Sequence, residues 1–279
     1  LKFPDKVELE LEALLDGICE PDVVPKVEVE PVIDSTAGYL DLLQPILSGR
    51  TLENLKVVVD AANGSAFETT PSLLGFFGAN LVTVGDKPDG MNINQSVGSQ
   101  CPQYLSELII EHEADLGIAH DGDGDRVLFC DEKGSVVDGD VLLCLLALHE
   151  LRHGRLNQNT LVATVQSNLG LDRAMKQAGG RLVRTSVGDR YVLEEMVRSG
   201  YNLGGENSGH IVFPDFNSTG DGLLSALKLL SILLEEQRPL SELQGCMELL
   251  PQRTGAVAVK EKLPLEDNLV IQKTLKTLK

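Results

Sequence analysis

The run from residue 121 to 126 reads Asp-Gly-Asp-Gly-Asp-Arg and places carboxylates at alternate positions. The glycines between them leave the backbone free to curl, so the acidic side chains can converge. Carboxylate oxygens are the hard ligands that Mg²⁺ prefers, with a substrate phosphate often completing the shell. Asp121, Asp123 and Asp125 therefore form a candidate Mg²⁺ site. Arg126 beside them is suited to grip a phosphate with its planar guanidinium.

Two other structures are typical of such a run. Asp-Gly is common in solvated hairpin turns, although a turn needs only one such pair. A calcium-binding EF-hand loop would place Glu132 at its twelfth position, but it needs Gly where Arg126 stands, and it needs flanking helices. The apolar stretches at 114–119 and 127–130 are too short for helices and predict strands. The pattern favours a metal loop at the edge of a sheet.

A second polar run, Gly-Glu-Asn-Ser-Gly-His, occupies residues 205–210. Glu206 can accept hydrogen bonds from neighbouring hydroxyls, and Asn207 and Ser208 can donate or accept them, which together suits the binding of a sugar. His210 could transfer a proton near neutral pH. A polar turn with a structural histidine has the same residues, and the spacing alone does not decide between the two.

The segment 186–191 reads Ser-Val-Gly-Asp-Arg-Tyr. Asp189 fits the first turn of a helix, where a carboxylate meets the positive end of the helix dipole. Arg190 is less suited to that end, which favours another role such as phosphate contact. A plain helix start is the alternative.

The chain carries the same landmarks twice in one order. They are a buried strand with an Asn/Gly turn at 55–64 and 161–170, Ser-Val-Gly at the start of an expected helix at 96–98 and 186–188, a Leu-Gly strand start at 115–117 and 202–204, and Gly-Asp before an apolar helix at 139–140 and 220–221. Strands that alternate with helices predict a mostly parallel sheet covered on both faces. We therefore expect an α/β fold of two tandem duplicated domains with mostly parallel mixed sheets, each with its own core. Their equivalent polar loops should face a shared cleft at strand ends.

The predicted division of the chain follows from this duplication. Residues 45–152 form an α/β domain with the metal-binding loop, and residues 153–248 form one with the sugar-binding loop. Residues 1–44 are the end of an earlier domain and a linker, with a short helix at 5–17. Residues 249–279 begin a C-terminal phosphate-binding domain, with a strand at 254–259.

Composition excludes several classes of protein. The 279 residues contain 24 Lys and Arg against 42 Asp and Glu, a net charge of −18 that argues against a nucleic-acid or anionic-membrane surface. The 5 cysteines include no Cys-x-x-Cys pair, which suits a reducing cytoplasm rather than a disulfide framework. The longest apolar run, 141–148, is too short to span a bilayer, and no signal peptide is recognised.

Taken together, the runs at 121–126, 187–191 and 205–210 resemble the motifs of the α-D-phosphohexomutases, in the same order and spacing. The Glu-Asn-Ser-Gly-His and Val-Gly-Asp-Arg-Tyr forms are most similar to those of the bacterial phosphoglucosamine mutases. The resemblance covers nearly the whole chain and corresponds to the end of domain 1, domains 2 and 3, and the start of domain 4. It implies interconversion of glucosamine 6-phosphate and glucosamine 1-phosphate through a bisphosphate and an enzyme phosphoserine. Such an activity feeds UDP-N-acetylglucosamine and cell-wall synthesis.

The resemblance also implies roles for the residues that match its motifs. Mg²⁺ would be the cofactor, held by the three aspartates against the phosphoserine, and Arg126 and His210 would act in catalysis. The substrate-binding residues would be Glu206, Asn207, Ser208, Asp189 and Arg190. The implied partners are a hexosamine phosphate and its bisphosphate, with no nucleic acid and no membrane, and a homodimer is one assembly that fits. A phosphomannomutase or phosphoglucomutase, or a sugar-phosphate-binding module without turnover, is the alternative.

Two features depart from the family pattern. The Ser-His-Asn-Pro loop that carries the phosphoserine and the Ser-Gly-Thr-Glu phosphate loop are not among these 279 residues. Because the chain also opens at Leu1 without Met, we expect it to be the folded middle of a longer enzyme, catalytically silent alone. His120 stands where these enzymes usually carry an aromatic residue.

Overall fold

The computed structural model of the chain describes residue 3, residues 5–16, 35–253, 255, 258 and 268–277. The helices are α1 (Asp5–Leu15), α2 (Ser35–Leu43), α3 (Thr69–Phe76), α4 (Pro102–His112), α5 (Gly139–Arg152), α6 (Leu169–Gln177), α7 (Asp189–Ser199), α8 (Gly222–Glu236), α9 (Leu240–Leu243) and α10 (Leu269–Thr277). The strands are β1 (Lys56–Asp60), β2 (Asn80–Val84), β3 (Leu116–His120), β4 (Val127–Asp131), β5 (Val136–Val137), β6 (Thr160–Thr164), β7 (Arg181–Thr185), β8 (Gly204–Gly205) and β9 (Ile211–Val212). The helix expected at 5–17 is confirmed, whereas most of the strand expected at 254–259 lies outside the described residues.

The strands form two sheets with the same arrangement. The first sheet has the order β2-β1-β3-β4-β5 and the second has the order β7-β6-β8-β9. In each sheet the first three strands are parallel and the next is antiparallel. The α/β class, the duplication and the mostly parallel mixed sheets are therefore confirmed. We call residues 45–137 the first unit and residues 160–220 the second unit, and the domain boundaries near 44, 152 and 248 stay predictions.

Each sheet buries both of its faces, as the continuous apolar runs of its central strands require. Alternate residues of β1 point to opposite sides, so Val58 packs with α4 while Val57 and Val59 face the other way. In β6, Val162 packs with α7 while Leu161 and Ala163 face the other way. On that other side, the buried side chains of both sheets belong to one continuous cluster. The expectation of two separate cores is wrong for this face.

The cluster is continuous because two helices cross between the units. Helix α5 follows the first sheet along the chain, yet it packs against α6 of the second unit. Helix α8 follows the second sheet, yet it contacts β4 and the turn Gln44–Leu47 beside the first sheet. The buried residues on α5 and α8 therefore join the two units through shared apolar contacts.

The helix expected directly after Ser96-Val97-Gly98 begins only at Pro102. Gly98 instead has a positive φ of 81°, and its amide donates to the buried Asp60 carboxylate at 2.6 Å. In the second unit α7 begins at Asp189, directly after Gly188, as predicted. Within the described ranges, no helix is both long enough and apolar enough to cross a membrane.

Candidate active site

The Asp-rich run forms the connection between β3 and β4, at the carboxyl end of β3. Two backbone hydrogen bonds fix this loop: the Ser65 amide of the first unit donates to the Gly122 carbonyl at 2.9 Å, and the Gly222 amide at the start of α8 donates to the Gly124 carbonyl at 2.9 Å. Gly124 has a φ of 76°, which suits glycine, and a Cβ there would lie 2.9 Å from Ser65 Oγ. The loop is therefore shaped by its neighbours.

The three aspartates converge as predicted. One carboxylate oxygen from each of Asp121, Asp123 and Asp125 lies within 4.8 Å of the other two. Asp121 is fully buried, which is unlike a solvated hairpin turn even though the loop does join two antiparallel strands. The EF-hand alternative is wrong, because strands flank the loop and the Glu132 carboxylate accepts hydrogen bonds from Ser241.

Arg126 controls the charge of the loop. Its Nε donates to Asp121 Oδ2 at 2.5 Å, its amide donates to Asp121 Oδ1 at 3.1 Å, and Nε lies 3.4 Å from Asp125 Oδ1. Burial opposes ionisation of Asp121, but the amide hydrogen bond and the charge of Arg126 outweigh it, so the pKa of Asp121 falls. Burial raises the pKa of Asp125, and the negative charges of Asp121 and Asp123 raise it further, while His210 opposes them.

These carboxylates fit a hard divalent cation. Like charges held this close repel one another unless a cation lies among them, and this repulsion adds to burial in raising the pKa of Asp125. Asp125 Oδ1 is buried and accepts no hydrogen bond. Both oxygens of Asp121 accept from Arg126, yet each carboxylate oxygen has a further lone pair for a ligand. The donor set is all oxygen, the kind that Mg²⁺ and Ca²⁺ take.

The second polar run forms the connection between β8 and β9, the position in the second sheet that the Asp loop has in the first. Glu206 is half-buried, while Asn207 and Ser208 are exposed. Glu206 Oε1 accepts from the Gly188 amide at 2.9 Å, which ties this loop to the segment before α7. The carboxylate, amide and hydroxyl therefore stand at one edge of the second sheet.

The two equivalent loops meet directly. Arg126 and His210 pair as an antiparallel bridge, and the Val127 amide donates to the Gly209 carbonyl at 3.2 Å. Gly209 has a φ of 88°, and a Cβ there would lie 2.2 Å from the Val127 carbonyl oxygen. Only glycine permits this approach, so the contact between loops is built into the backbone.

His210 lies at the junction. Its Nε2 is 3.3 Å from Asp125 Oδ2 and 3.6 Å from Asp189 Oδ2, and its ring is buried. The first distance is within reach of a hydrogen bond, but its direction is poor, and neither ring nitrogen makes one. Arg190 Nε donates to Glu194 Oε1 at 2.9 Å on its own helix. The structure thus brings His210 and Asp189 to the Asp loop, while this bond of Arg190 lies within α7.

Residues that the sequence analysis did not select also line the site. A cavity of about 580 Å³ adjoins the Asp loop, with Asp123 and Asp125 in its wall. Its lining also includes Tyr39, Ser65, Thr69, Asn217, Thr219 and Asp221. The cavity does not include Glu206, Ser208 or His210, so of the two loops it is lined by the Asp loop alone and is not the expected cleft shared by both loops. The repeated Gly-Asp landmark at 220–221 could have identified Asp221 as a site residue. No sequence pattern indicated that Tyr39 lines the cavity.

His120 is fully buried directly before the Asp loop. Its Nε2 lies 3.0 Å from Thr70 Oγ1, while Nδ1 has no hydrogen-bond partner. Burial lowers the pKa of His120 to about 4, although the nearby Asp121 opposes the shift. The imidazole is therefore neutral at the pH of the cell.

Comparison with known proteins identifies the family of the chain. Models of phosphoglucomutase/phosphomannomutase α/β/α domains II and III match residues 37–134 and 138–250. A phosphoglucosamine mutase of Citrifermentans bemidjiense is 47% identical over 267 residues, which cover 94% of this chain and 59% of the relative. The chain spans between 59% and 62% of the length of the curated relatives it matches.

Solved structures agree with this family. A phosphoglucomutase/phosphomannomutase family protein from Burkholderia thailandensis superposes with a TM-score of 0.71 at 27% identity, covering 88% of this chain and 53% of that one. An N-acetylphosphoglucosamine mutase of Aspergillus fumigatus, solved with GlcNAc-6P and magnesium, has a TM-score of 0.61 at 20% identity, covering 77% of this chain and 54% of that one. The second match shows a shared fold. The chain belongs to the phosphoglucomutase/phosphomannomutase family.

Proposed function

We propose that this chain carries the central part of a phosphoglucosamine mutase, which interconverts glucosamine 6-phosphate and glucosamine 1-phosphate through a bisphosphate. The observation that carries the proposal is the meeting of the Asp loop with the Glu206–His210 loop at the Arg126–His210 bridge. It joins a cation site to a set of hydroxyl-binding groups, which is what transfer of a phosphoryl group to a sugar needs. The 47% identity to a phosphoglucosamine mutase supports the choice of substrate.

Mg²⁺ is the proposed cofactor, held by Asp121, Asp123 and Asp125. Magnesium is the ion in the structure of the fungal relative, and the all-oxygen donor set here suits it. When bound, it supplies positive charge that offsets the negative charge on a phosphoryl group in transit. The carboxylates themselves fix where that charge stands, because Asp121 is buried and Arg126 orients it from two sides.

The remaining residues hold the substrate and move a proton. Arg126 keeps 39% of its side chain exposed while Asp121 fixes its Nε, so the guanidinium can contact a phosphate without losing its orientation. Glu206 is fixed by the Gly188 amide and, with Ser208 and Asn207, presents acceptors and donors to sugar hydroxyls. His210 Nε2 lies between Asp125 and Asp189, where it can hold a proton for a reacting hydroxyl. Arg190 is the proposed second phosphate contact, reached by leaving Glu194.

The proposal extends to partners and location. The partners are a hexosamine phosphate and its bisphosphate, and the fungal structure with GlcNAc-6P supports a sugar phosphate as ligand. A homodimer and a cytoplasmic location are part of the proposal on the sequence grounds given above.

A coupled assay of the full-length protein tests the function. Glucosamine, mannose and glucose 6-phosphates are offered separately, each with its bisphosphate and Mg²⁺. We expect the highest kcat/KM for glucosamine 6-phosphate. A preference for mannose or glucose phosphate would assign the chain to another branch of the family, and no turnover with any of them would leave a binding module.

A further inference from the structure

A second cluster of metal-binding side chains lies apart from the proposed active site. His149 and His153 are separated by one helical turn near the end of α5, and Glu235 stands near the end of α8. One ligand atom from each lies within 4.8 Å of the other two. His149 and Glu235 line a pocket of about 140 Å³, and none of its lining residues lines the cavity beside the Asp loop.

The ring of His153 is oriented for a ligand at Nε2. Its Nδ1 lies 2.8 Å from the main-chain oxygen of His149, and because a carbonyl only accepts, Nδ1 carries the hydrogen. Nε2 then faces Glu235 Oε1 at 2.8 Å. A histidine that donates through one nitrogen to a carbonyl and presents the other is the usual arrangement of a metal ligand.

His149 has a comparable arrangement. Its Nδ1 lies 3.4 Å from Glu150 Oε1, and Arg155 holds that carboxylate through two hydrogen bonds of 3.0 Å. Arg155 and Glu150 form an ion pair at 3.0 Å, which fixes the carboxylate where it can accept from Nδ1 of a metal-bound His149, as in carboxylate–histidine–zinc sites. Arg155 Nη2 donates to Nδ1 at 3.3 Å, so without a metal Nδ1 accepts and Nε2 carries the hydrogen. Binding of a metal at Nε2 would move the hydrogen to Nδ1, where the Glu150 carboxylate accepts it.

The ring nitrogen of His149 that is available to a metal is Nε2. This atom is buried with no hydrogen-bond partner, in a residue only 4% exposed, and it faces Glu235 Oε2 at 3.4 Å. A divalent cation at this position would take the place of the hydrogen on Nε2 and would attract the Glu235 carboxylate. Ligand atoms of a tetrahedral Zn²⁺ site are about 3.3 Å apart, given Zn–N bonds of about 2.0–2.1 Å. The 3.4 Å distance from Glu235 to His149 is close to that value, and the 2.8 Å ion-pair distance from Glu235 to His153 would have to lengthen by about 0.5 Å on metal binding.

We propose that His149, His153 and Glu235 bind a divalent transition metal, with Zn²⁺ the best fit and a fourth position open to water. The metal preference of this site differs from that of the Asp loop. Imidazole nitrogen ligands favour zinc, nickel or copper, whereas the all-oxygen ligands of the Asp loop favour magnesium. His153 and Glu235 are 36% and 37% exposed, which gives the ion a path from solvent. The metal would link α5 to α8, the helices through which the two units share their core. Arg50 Nη2 lies 3.8 Å from Glu235 Oε2, and its charge holds the affinity below that of fully closed zinc sites.

Metal titration of the purified chain tests this site. The chain is stripped with a chelator and kept in millimolar Mg²⁺ to occupy the Asp loop, and Zn²⁺ binding is then followed by calorimetry. We expect one equivalent of tight Zn²⁺ binding, at least about 10-fold weaker in His153→Ala and in Glu235→Gln, since even outer partners of such sites change affinity by that factor. His112→Ala removes a histidine outside the cluster and should bind as the unchanged chain does.

A second measurement separates binding from folding. Zn²⁺ should raise the Tm of the unchanged chain and of His112→Ala, and leave the Tm of His153→Ala and Glu235→Gln unmoved. Circular dichroism without metal should match in all four proteins. With Cu²⁺ in place of Zn²⁺, nitrogen hyperfine splitting should report two imidazole ligands. Equal Zn²⁺ binding in His153→Ala, equal binding in Glu235→Gln, or no binding at all would overturn the proposal and leave a histidine–glutamate ion pair.

Discussion

The first and second units build the same sheet and differ in what their equivalent loops carry. The connection between β3 and β4 presents three carboxylates and an arginine, while the connection between β8 and β9 presents Glu206 and groups that bind hydroxyls. The carboxylates of the first loop can bind a cation and so place positive charge in the site. The second loop can form hydrogen bonds with the hydroxyls of a sugar. A repeated frame therefore places two different chemistries at matched positions, where they touch at Arg126 and His210.

The repeated Ser-Val-Gly motif shows the same division on a smaller scale. In the first unit the Gly98 amide donates to Asp60, a buried carboxylate at the end of β1. In the second unit the Gly188 amide donates to Glu206, a carboxylate of the sugar-binding loop. The same backbone donor stabilises the fold in one unit and orients a proposed substrate ligand in the other.

The largest expected effect is the loss of kcat when one carboxylate of the Asp loop is removed. In the full-length enzyme, Asp123→Asn should lower kcat at least about 1,000-fold, because charge stabilisation of that size is typical in phosphoryl transfer. The exposed loop position should leave the Tm nearly unchanged. Asp215→Asn, at another exposed aspartate, is the matched control. Normal turnover with unchanged Mg²⁺ dependence in Asp123→Asn would remove the metal role from this loop.

The contact between the loops is tested by Gly209→Ala. The φ of 88° and the 2.2 Å approach of a Cβ to the Val127 oxygen should together destabilise the chain by about 2–5 kcal/mol. Gly154→Ala has a φ of 65° with open space around it, so it should lose only about 1–2 kcal/mol. Urea unfolding of both variants measures the difference. Equal losses would mean that the close approach of the two loops does not contribute.

The sugar-binding loop is tested by Glu206→Gln in the full-length enzyme. Losing a charged hydrogen-bond partner should reduce kcat/KM for the sugar phosphate about 10- to 100-fold, mainly through KM. Steady-state kinetics separate this from the kcat effect expected of Asp123→Asn. Glu242→Gln, at an exposed glutamate paired with Arg238, should behave as the unchanged enzyme. A fall in kcat alone would contradict the division of roles between the two loops.

The smallest expected effect concerns a hydrogen bond between two helices that lie outside both units. Tyr39 Oη donates to Asp221 Oδ1 at 2.8 Å, which connects α2 to the start of α8. Tyr39→Phe should reduce the free energy of unfolding by about 1–2 kcal/mol. Tyr104→Phe, at a more exposed tyrosine, should change it much less. If the two variants unfold alike in urea, this hydrogen bond does not stabilise the packing of α2 against the start of α8.

Local patterns in the sequence predicted what depends on local chemistry. Alternating apolar residues placed β3 and β4, and spaced aspartates placed the carboxylates that converge. The duplication predicted equal strand orders because each landmark marks the end of a strand or the start of a helix. The site roles of these residues stay predictions.

The sequence could not show which partner each apolar helix would choose. Helices α5 and α8 are apolar on nearly every side, so the pattern indicates burial without indicating the neighbour. Contacts between side chains far apart along the chain cannot be predicted from the sequence pattern for the same reason. Tyr39 and Asp221, which form a hydrogen bond, are 182 positions apart. The pair of histidines on α5 was visible as a one-turn spacing, but Glu235 on another helix completes the cluster only in three dimensions.

The position of α8 has a consequence for synthesis on the ribosome. The first sheet emerges early, yet a helix that covers it, Gly222–Glu236, is made only after the whole second sheet. The hydrogen bond from Arg50 to the Ser231 carbonyl cannot form until Ser231, 181 positions later, has been synthesised. Contacts of such long range slow folding and keep apolar surface uncovered in the nascent chain. The first unit is therefore synthesised before the second unit but completes its packing only after α8 has been made. During that interval its uncovered apolar surface is a binding site for a chaperone.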